Sequence, residues 1–389
     1  MAINKGMKMP ARERILFISN RLVNPYAGTE SQLLQLIKHL PRGQFEPRLL
    51  VLQRSEFSDS GAISCQVDVL GHSSLLDPRT WVSFWRYARN AAAEGYSLAH
   101  IYFHDASIFG PPLLRTVGIR SIISRRDMGY WYNRTYLRIL QVTGKFTDKV
   151  VVNSQAVGEV TSRKERIPAD KIKVIYNGYE SSEKPTMTAT GDILAIKENG
   201  LGPIMFLVAN YRPLKRIEDA VRAVNLVVKN GGSAQLVIIG SGNWEPLRQL
   251  AKELGLAQRV HFLGGRDDVK ECLKHGFIGL LCSESEGYSN SVVEYMQASL
   301  PIIVTDVGGN REAVLQGETG YRYPIGDVGA LADHILGLLR DPELAKQLGA
   351  AGKELADQRH DLQRMIGAHV NLYYSLVGAS AAAPVSGER

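Results

Sequence analysis

A chain of 389 residues exceeds what one ordinary hydrophobic core fills, so two domains are expected. Its 44% hydrophobic, 22% charged and 8% aromatic content excludes disordered and fibrous classes. The formal net charge of +7 favours anionic partners such as nucleotide phosphates or an acidic membrane surface, whereas dispersed basic residues without a recognition motif argue against nucleic acid.

No apolar run is long enough to cross a bilayer. The apolar stretch Ile15 to Ile18 after the basic N-terminus is too short for a signal-peptide core, so a cytoplasmic location is expected. Cys65, Cys272 and Cys282 have neither paired nor zinc-ligand spacing, and Cys282, inside FIGLLC, reads as a buried core thiol.

In chain order, β-branched apolar runs alternate with segments of helical period, which predicts parallel α/β lobes. The first half shows strands at ILFIS (15–19), RLLVL (48–52), HIYF (100–103), SIIS (121–124), KVVVN (149–153) and KVIY (173–176). A helix is expected over Glu30–Leu40, with Leu33, Leu34, Leu36, Ile37 and Leu40 on one face. Gly28 precedes it, and Thr29-x-x-Gln32 reads as a capping box. Gly28 makes either a plain tight turn or a place where backbone comes close to a donor's phosphate or sugar. His104, with Asp105 beside it, follows its strand and is expected at a ligand-facing strand end.

The polar stretch from Tyr179 to Asp192 is the expected boundary, giving a first lobe over 1–182 and a second over 183–360. A helix over about 361–377 is expected to pack back on the first lobe, with 378–389 as a frayed tail. The second half repeats the alternation at IMFLVA (204–209), QLVIIG (235–240), RVHFLG (259–264), FIGLLC (277–282) and PIIVT (301–305). The glycines of IIGSGNWEPL lack the third member of G-x-G-x-x-G, which weakens a dinucleotide-binding reading.

The sharpest signal follows FIGLLC. A strand runs into SESEGYSNSVVE, a polar loop and a helix start near Ser291, where backbone N–H groups and the helix dipole suit phosphate oxygens. Glu286 and Glu294 are acceptor-only groups suited to sugar hydroxyls. Ser291-Val-Val-Glu294 alternatively makes a structural capping box, and Glu286 a solvated loop carboxylate. At the end of IMFLVA, Arg212 and Lys215 can neutralise a diphosphate leaving group, unless they are only a solvated basic turn.

The E-x₇-E spacing of Glu286 and Glu294, followed by a strand and Val307-Gly308-Gly309, resembles the retaining family 4 glycosyltransferases of GT-B fold. The resemblance covers roughly residues 15 to 375 and is strongest from 200 to 325. It implies two Rossmann-like lobes with parallel sheets facing a central cleft, and a nucleotide diphosphate sugar, UDP- or GDP-linked, as donor. It implies Glu286 at the donor sugar and pyrophosphate, and Glu294 at the ribose hydroxyls. Tyr288, Ser289, Asn290 and Ser291 match the phosphate loop. Lys215 matches the family cation; Asn210 stands where its arginine usually falls, with Arg212 as the substitute, and Arg216 stands where glycine is frequent. Arg126-Asp127 replaces a histidine–aspartate type dipeptide near the transferred sugar, and Asp127 is the candidate to touch acceptor or sugar.

The implied activity is a metal-independent hexosyltransferase (EC 2.4) that retains anomeric configuration and needs no cofactor. Its acceptor is implied to be a glycan or lipid-linked intermediate of cell-surface polysaccharide synthesis. The chain holds no D-x-D triplet. A sugar-nucleotide epimerase of GT-B fold and a noncatalytic sugar-nucleotide-binding subunit are the alternatives. Tyr130, Trp131, Tyr132 and Tyr136 interleave with Arg134, Arg138, Lys145 and Lys149, and Trp81, Phe84, Trp85 and Tyr87 lie upstream. These aromatics read either as core or as a surface for peripheral contact with an anionic membrane at its inner face.

Overall fold

The computed structural model describes residues 12–25, 28–72, 74, 77–180 and 191–378. It divides into two units: Met1–Asn153 with Gly158–Gly178 and Gln363–Arg389, and Ser154–Val157 with Tyr179–Leu362. The stretch 181–190, within the expected boundary, and the tail 379–389 lie outside the described residues.

In the first unit, β1 (Glu13–Ser19), β2 (Phe45–Val51), β3 (Gln66–Val69), β4 (Tyr96–Ile101), β5 (Arg120–Arg125), β6 (Lys149–Val152) and β7 (Ile172–Val174) form one sheet. Its order is β3-β2-β1-β4-β5-β6-β7, all pairs parallel. Central strands read as unbroken apolar runs because helices cover both sheet faces, and Ile15 to Ile18 are fully buried. The helix Gly28–His39 buries Leu33, Leu36 and Ile37. The helix Leu362–Val377 sets Tyr373 edge-on against Phe17 and Phe45.

The second unit repeats the plan with β8 (Ile204–Val208), β9 (Gln235–Ile239), β10 (Val260–Phe262), β11 (Ile278–Leu281), β12 (Ile302–Thr305) and β13 (Gly320–Tyr323). The order is β10-β9-β8-β11-β12-β13. Its core joins Met205, Leu207, Leu236, Ile238, Leu280 and Ile303 to Ala220, Val224 and Val227 of the helix Ile217–Lys229. Cys282 is buried as expected, and burial pushes its thiol up to about 12.

The expected α/β architecture of two Rossmann-like parallel-sheet units is present. Every expected strand forms, and β3 and β13 are additional. HIYF ends as a strand at Ile101, so His104 opens the helix His104–Thr116 rather than closing a strand. The Thr29-x-x-Gln32 capping box does not form, because the helix begins at Gly28 and Gln32 hydrogen-bonds instead to both N and O of Gly178, at 3.0 Å each. Among the described residues no helix is long and apolar enough to cross a membrane.

Candidate functional site

Parallel sheets bind ligands beyond their strands' carboxyl ends, at the point where successive connections wind in opposite senses. In the second unit that point falls between β8 and β11, which are neighbours although chain-distant. Two loops meet there: Ala209 to Arg216 after β8, and Cys282 to Ser289 after β11.

Backbone and side chains stitch the loops together. Glu284 N donates to Leu214 O (2.9 Å), and Ser291 Oγ donates to Val208 O (2.6 Å). Val208 N donates to Tyr295 Oη (2.6 Å). Asn210 Oδ1 accepts from Ser241 N (2.8 Å), which ties in the loop after β9. Lys215 Nζ lies 2.5 Å from Glu286 Oε1, and Ser283 Oγ donates to the same oxygen at 2.7 Å. Arg212 is exposed at the entry to the 3₁₀ turn Pro213–Lys215, and among the described residues it has no ion pair. Arg216 sits at φ 45°, a left-handed conformation that explains why glycine suits this position. Its guanidinium bonds to Asp219 (2.7 Å) and Glu284 (3.2 Å), which offsets that backbone cost.

The helix Asn290–Gln297 begins with Ser289 as N-cap and has no side-chain cap. Its first N–H groups therefore remain available to an anion. The Ser291–Glu294 capping box is not formed, since the Ser291 hydroxyl serves Val208. Tyr288 is buried, its hydroxyl 2.9 Å from His360 Nε2, and Asn290 Oδ1 accepts from Tyr179 Oη at 2.6 Å. The loop thus offers backbone to a ligand, while these two side chains anchor it from behind. Gly309 supports the loop from β12's side: Gly309 N donates to Glu286 O (3.0 Å), and a Cβ on Gly309 would lie 1.9 Å from Gly287 O.

Glu294 is half-buried on this helix, and desolvation pushes its carboxyl up to about 7, with Lys270 opposing the rise. A partly desolvated acceptor of this kind is suited to hydroxyl donors of a ligand. Among the described residues no group of three or more His, Cys, Asp or Glu could hold a metal ion.

In the first unit the corresponding loops follow β1, β4 and β5. Asn20 Nδ2 donates to Asp105 Oδ2 at 2.5 Å. Glu30, buried, accepts from Val23 N (3.1 Å) and Asn24 N (2.7 Å), folding the loop after β1 onto the helix that Gly28 begins. Phe103 has φ 65° and ψ 167°, a strained region at the turn into the helix that His104 opens. The side chain of His104 lies outside the described residues. Asp127 Oδ1 accepts from Gly129 N (2.7 Å) and Trp131 Nε1 (3.1 Å), so its carboxylate orders its own loop. Residue-level reading of the sequence missed Glu30 and Ser283, and named Gly309 only as part of a Gly-Gly turn; an acidic residue two places after a turn glycine signals the first.

The profile of the family described as Glycosyl transferases group 1 matches residues 194–355, and that of Glycosyltransferase Family 4 matches 26–183. N-acetyl-alpha-D-glucosaminyl L-malate synthase of Bacillus anthracis is 31% identical over 213 residues, 54% of this chain; the chain spans 55% of that relative's length. UDP-Gal:alpha-D-GlcNAc-diphosphoundecaprenol alpha-1,3-galactosyltransferase of Escherichia coli is 21% identical over 82% of this chain and 86% of its own. Anabaena HepE, solved in complex with UDP-glucose, superposes with a TM-score of 0.79 at 21% identity, covering 93% of this chain and 99% of that one. With both halves matched by family profiles and each unit built on the same sheet order, the chain belongs to the family 4, group 1 glycosyltransferases of GT-B fold.

Proposed function

We propose that the protein transfers a sugar from a nucleotide diphosphate sugar to a hydroxyl acceptor, with retention at the anomeric carbon and without a metal. The observation that carries this is the crevice between β8 and β11. There the uncapped start of the helix Asn290–Gln297, Lys215 and Arg212 offer positive charge beside the dry Glu294 carboxyl.

In the reaction the bond between the sugar's C1 and the diphosphate oxygen breaks, and its electron pair leaves with the nucleoside diphosphate. The acceptor oxygen forms the new bond to C1, and its proton passes to the departing phosphate. Lys215, Arg212 and the amides around Ser289 to Ser291 stabilise the developing phosphate charge. Glu294 accepts from the ribose hydroxyls, Glu286 faces sugar and pyrophosphate, and Asn210 holds the loop between them. Gly28 is assigned to the donor, and His104 and Asp127 to catalysis, with no general base chosen between them.

UDP and GDP remain the two donor classes. The Escherichia coli relative's name specifies a UDP-linked donor and a diphosphoundecaprenol-linked acceptor, which supports a glycan or lipid-linked acceptor here. Peripheral contact with an anionic membrane is supported by exposed Trp81, Val82, Val142 and Phe146. They lie on or next to helices Pro78–Ala93 and Arg134–Thr143, which both pack on His104–Thr116 and carry arginines but no acidic residues. On this reading the protein works on the cytoplasmic side, peripherally at the inner membrane face.

A thermal-shift screen against uridine and guanosine diphosphates and their sugars tests the reading, followed by NMR of the product's anomeric centre. Stabilisation by one nucleotide class, lost in Glu294→Ala, is the expected result. No stabilisation by any of them ends the proposal; binding without turnover over a wide acceptor pool favours a noncatalytic subunit.

A further inference from the structure

Arg125 closes β5 and Arg126 follows it, and their surroundings differ. Arg125 is buried and neutralised by Glu165, with Nε to Oε1 at 2.6 Å and Nη2 to Oε2 at 3.0 Å, and it also donates to Ser107 Oγ. Arg126 points to the other face of the sheet, is half-buried, and donates Nη1 to the neutral Asn177 Oδ1. Among the described residues it has no carboxylate partner.

Around Arg126 the shell is aromatic and neutral. Its guanidinium carbon lies 5.4 Å from the Tyr102 ring centroid. The His100 ring lies 4.6 Å from Tyr102 and 5.7 Å from His369. Burial lowers both histidines, His369 to about 4, and the charge of Arg126 adds to each shift. Neither histidine nor tyrosine therefore supplies a counter-charge at neutral pH.

Three polar atoms in this group have no hydrogen-bond partner: Arg126 Nε, Tyr102 Oη and His369 Nε2. Tyr102 and His369 are fully buried. Buried donors and cations are normally paired, because leaving them unpaired costs about 1–3 kcal/mol or more. The place is the carboxyl edge of the sheet, where ligands of such units bind.

We propose that Arg126, backed by Tyr102 and held by Asn177, anchors an anionic group, a carboxylate or phosphate, on the acceptor. This deepens the transferase reading and rests on it for the word acceptor. The anchor accounts for an arginine at a place where the resemblance implies a histidine–aspartate type pair. The guanidinium presents a fork to planar or tetrahedral oxyanions and rejects neutral acceptors by leaving its charge unmet.

Three probes share a three-carbon hydroxyl skeleton and differ in charge: glycerol 3-phosphate, glycerate and glycerol. Their binding to the full chain, saturated with the nucleoside diphosphate it prefers, is measured by titration calorimetry. The expected result is binding of the phosphate or the carboxylate probe and none of glycerol, the preferred anion separating the two sources. Arg126→Gln and Asn177→Asp each weaken that binding about tenfold or more, Arg126→Lys retains part of it, and nucleotide affinity is unchanged in all three. Asn177→Asp keeps the shape and sets an internal carboxylate on the guanidinium, so its effect does not depend on loss of folding. Equal binding of glycerol, binding of no probe, or anion affinity untouched by both variants overturns the inference. Loss of nucleotide binding in the unaltered chain would instead overturn the transferase reading, and the anion titration stands without it.

Discussion

Glu286 Oε1 receives the Lys215 ammonium at 2.5 Å and the Ser283 hydroxyl at 2.7 Å, so one carboxylate oxygen holds the loop cation in place. The pair is partly buried, with side-chain exposures of 23% and 11%, and is weakly screened for that reason. On the proposed function, a diphosphate beside Lys215 would meet a cation already aimed by Glu286.

Lys215→Ala should therefore depress turnover by about a hundredfold, while donor affinity changes only about threefold. Glu286→Gln keeps the shape but loosens the ammonium, and should also act mainly on turnover. Steady-state rates with direct donor titration check both, and a loss of affinity that accounts for the whole effect contradicts the assignment.

Glu294 sets a pH dependence. Its folded pKa, about 7, is above the ordinary 4.5, so the folded apoprotein gains stability from the protonated form below pH 4.5 and loses it as pH rises through 7. Hydroxyl donors on a ligand prefer the carboxylate. Affinity for a nucleotide diphosphate sugar should rise about tenfold from pH 6 to pH 8, with a proton released on binding. Glu294→Gln should be weak and flat over that range; calorimetry in buffers of different ionisation enthalpy measures both.

Gly309→Ala tests whether the loop after β11 needs its close backbone neighbour. The added Cβ would lie 1.9 Å from Gly287 O, which forces the loop outward. We expect stability to fall by about 1–3 kcal/mol and nucleotide binding to be lost, with both sheets intact by circular dichroism. Normal binding in this variant would show that the loop is not part of the site.

His369 has the opposite linkage to Glu294. It is held neutral, with its pKa lowered to about 4 chiefly by burial, so its contribution is present above pH 6.5 and lost as pH falls through 4. His369→Gln should make stability less pH-dependent between pH 6.5 and 4, by about 3 kcal/mol. Urea midpoints at pH 7 and pH 4.5 read this directly, and parallel slopes in both proteins contradict it.

The central strands were legible because each is an apolar run buried on both faces. Of the four edge strands, β7 and β10 were legible and two were not: QVDV at β3 alternates with polar residues, and GYRY at β13 starts on a glycine. The loop after β11 was legible as a polar turn into a helix start, yet which of its atoms are free for a ligand was not. Tyr288 reads as a ligand residue in one dimension and is tied to His360, 72 positions away. Ser291 reads as a cap and is used by a carbonyl of β8.

Composition, periodicity and the spacing of Glu286 and Glu294 by themselves determined two parallel α/β units and singled out the segment proposed to carry the chemistry, since both are local patterns. The state of each charge was decided only by tertiary structure. Arg125 and Arg126 are neighbours of one type, yet one, at the end of β5, pairs with Glu165 and the other, just past it, meets a neutral shell. Pairing, desolvation and the freedom of a guanidinium depend on side chains brought from distant positions, and no local pattern encodes that distance.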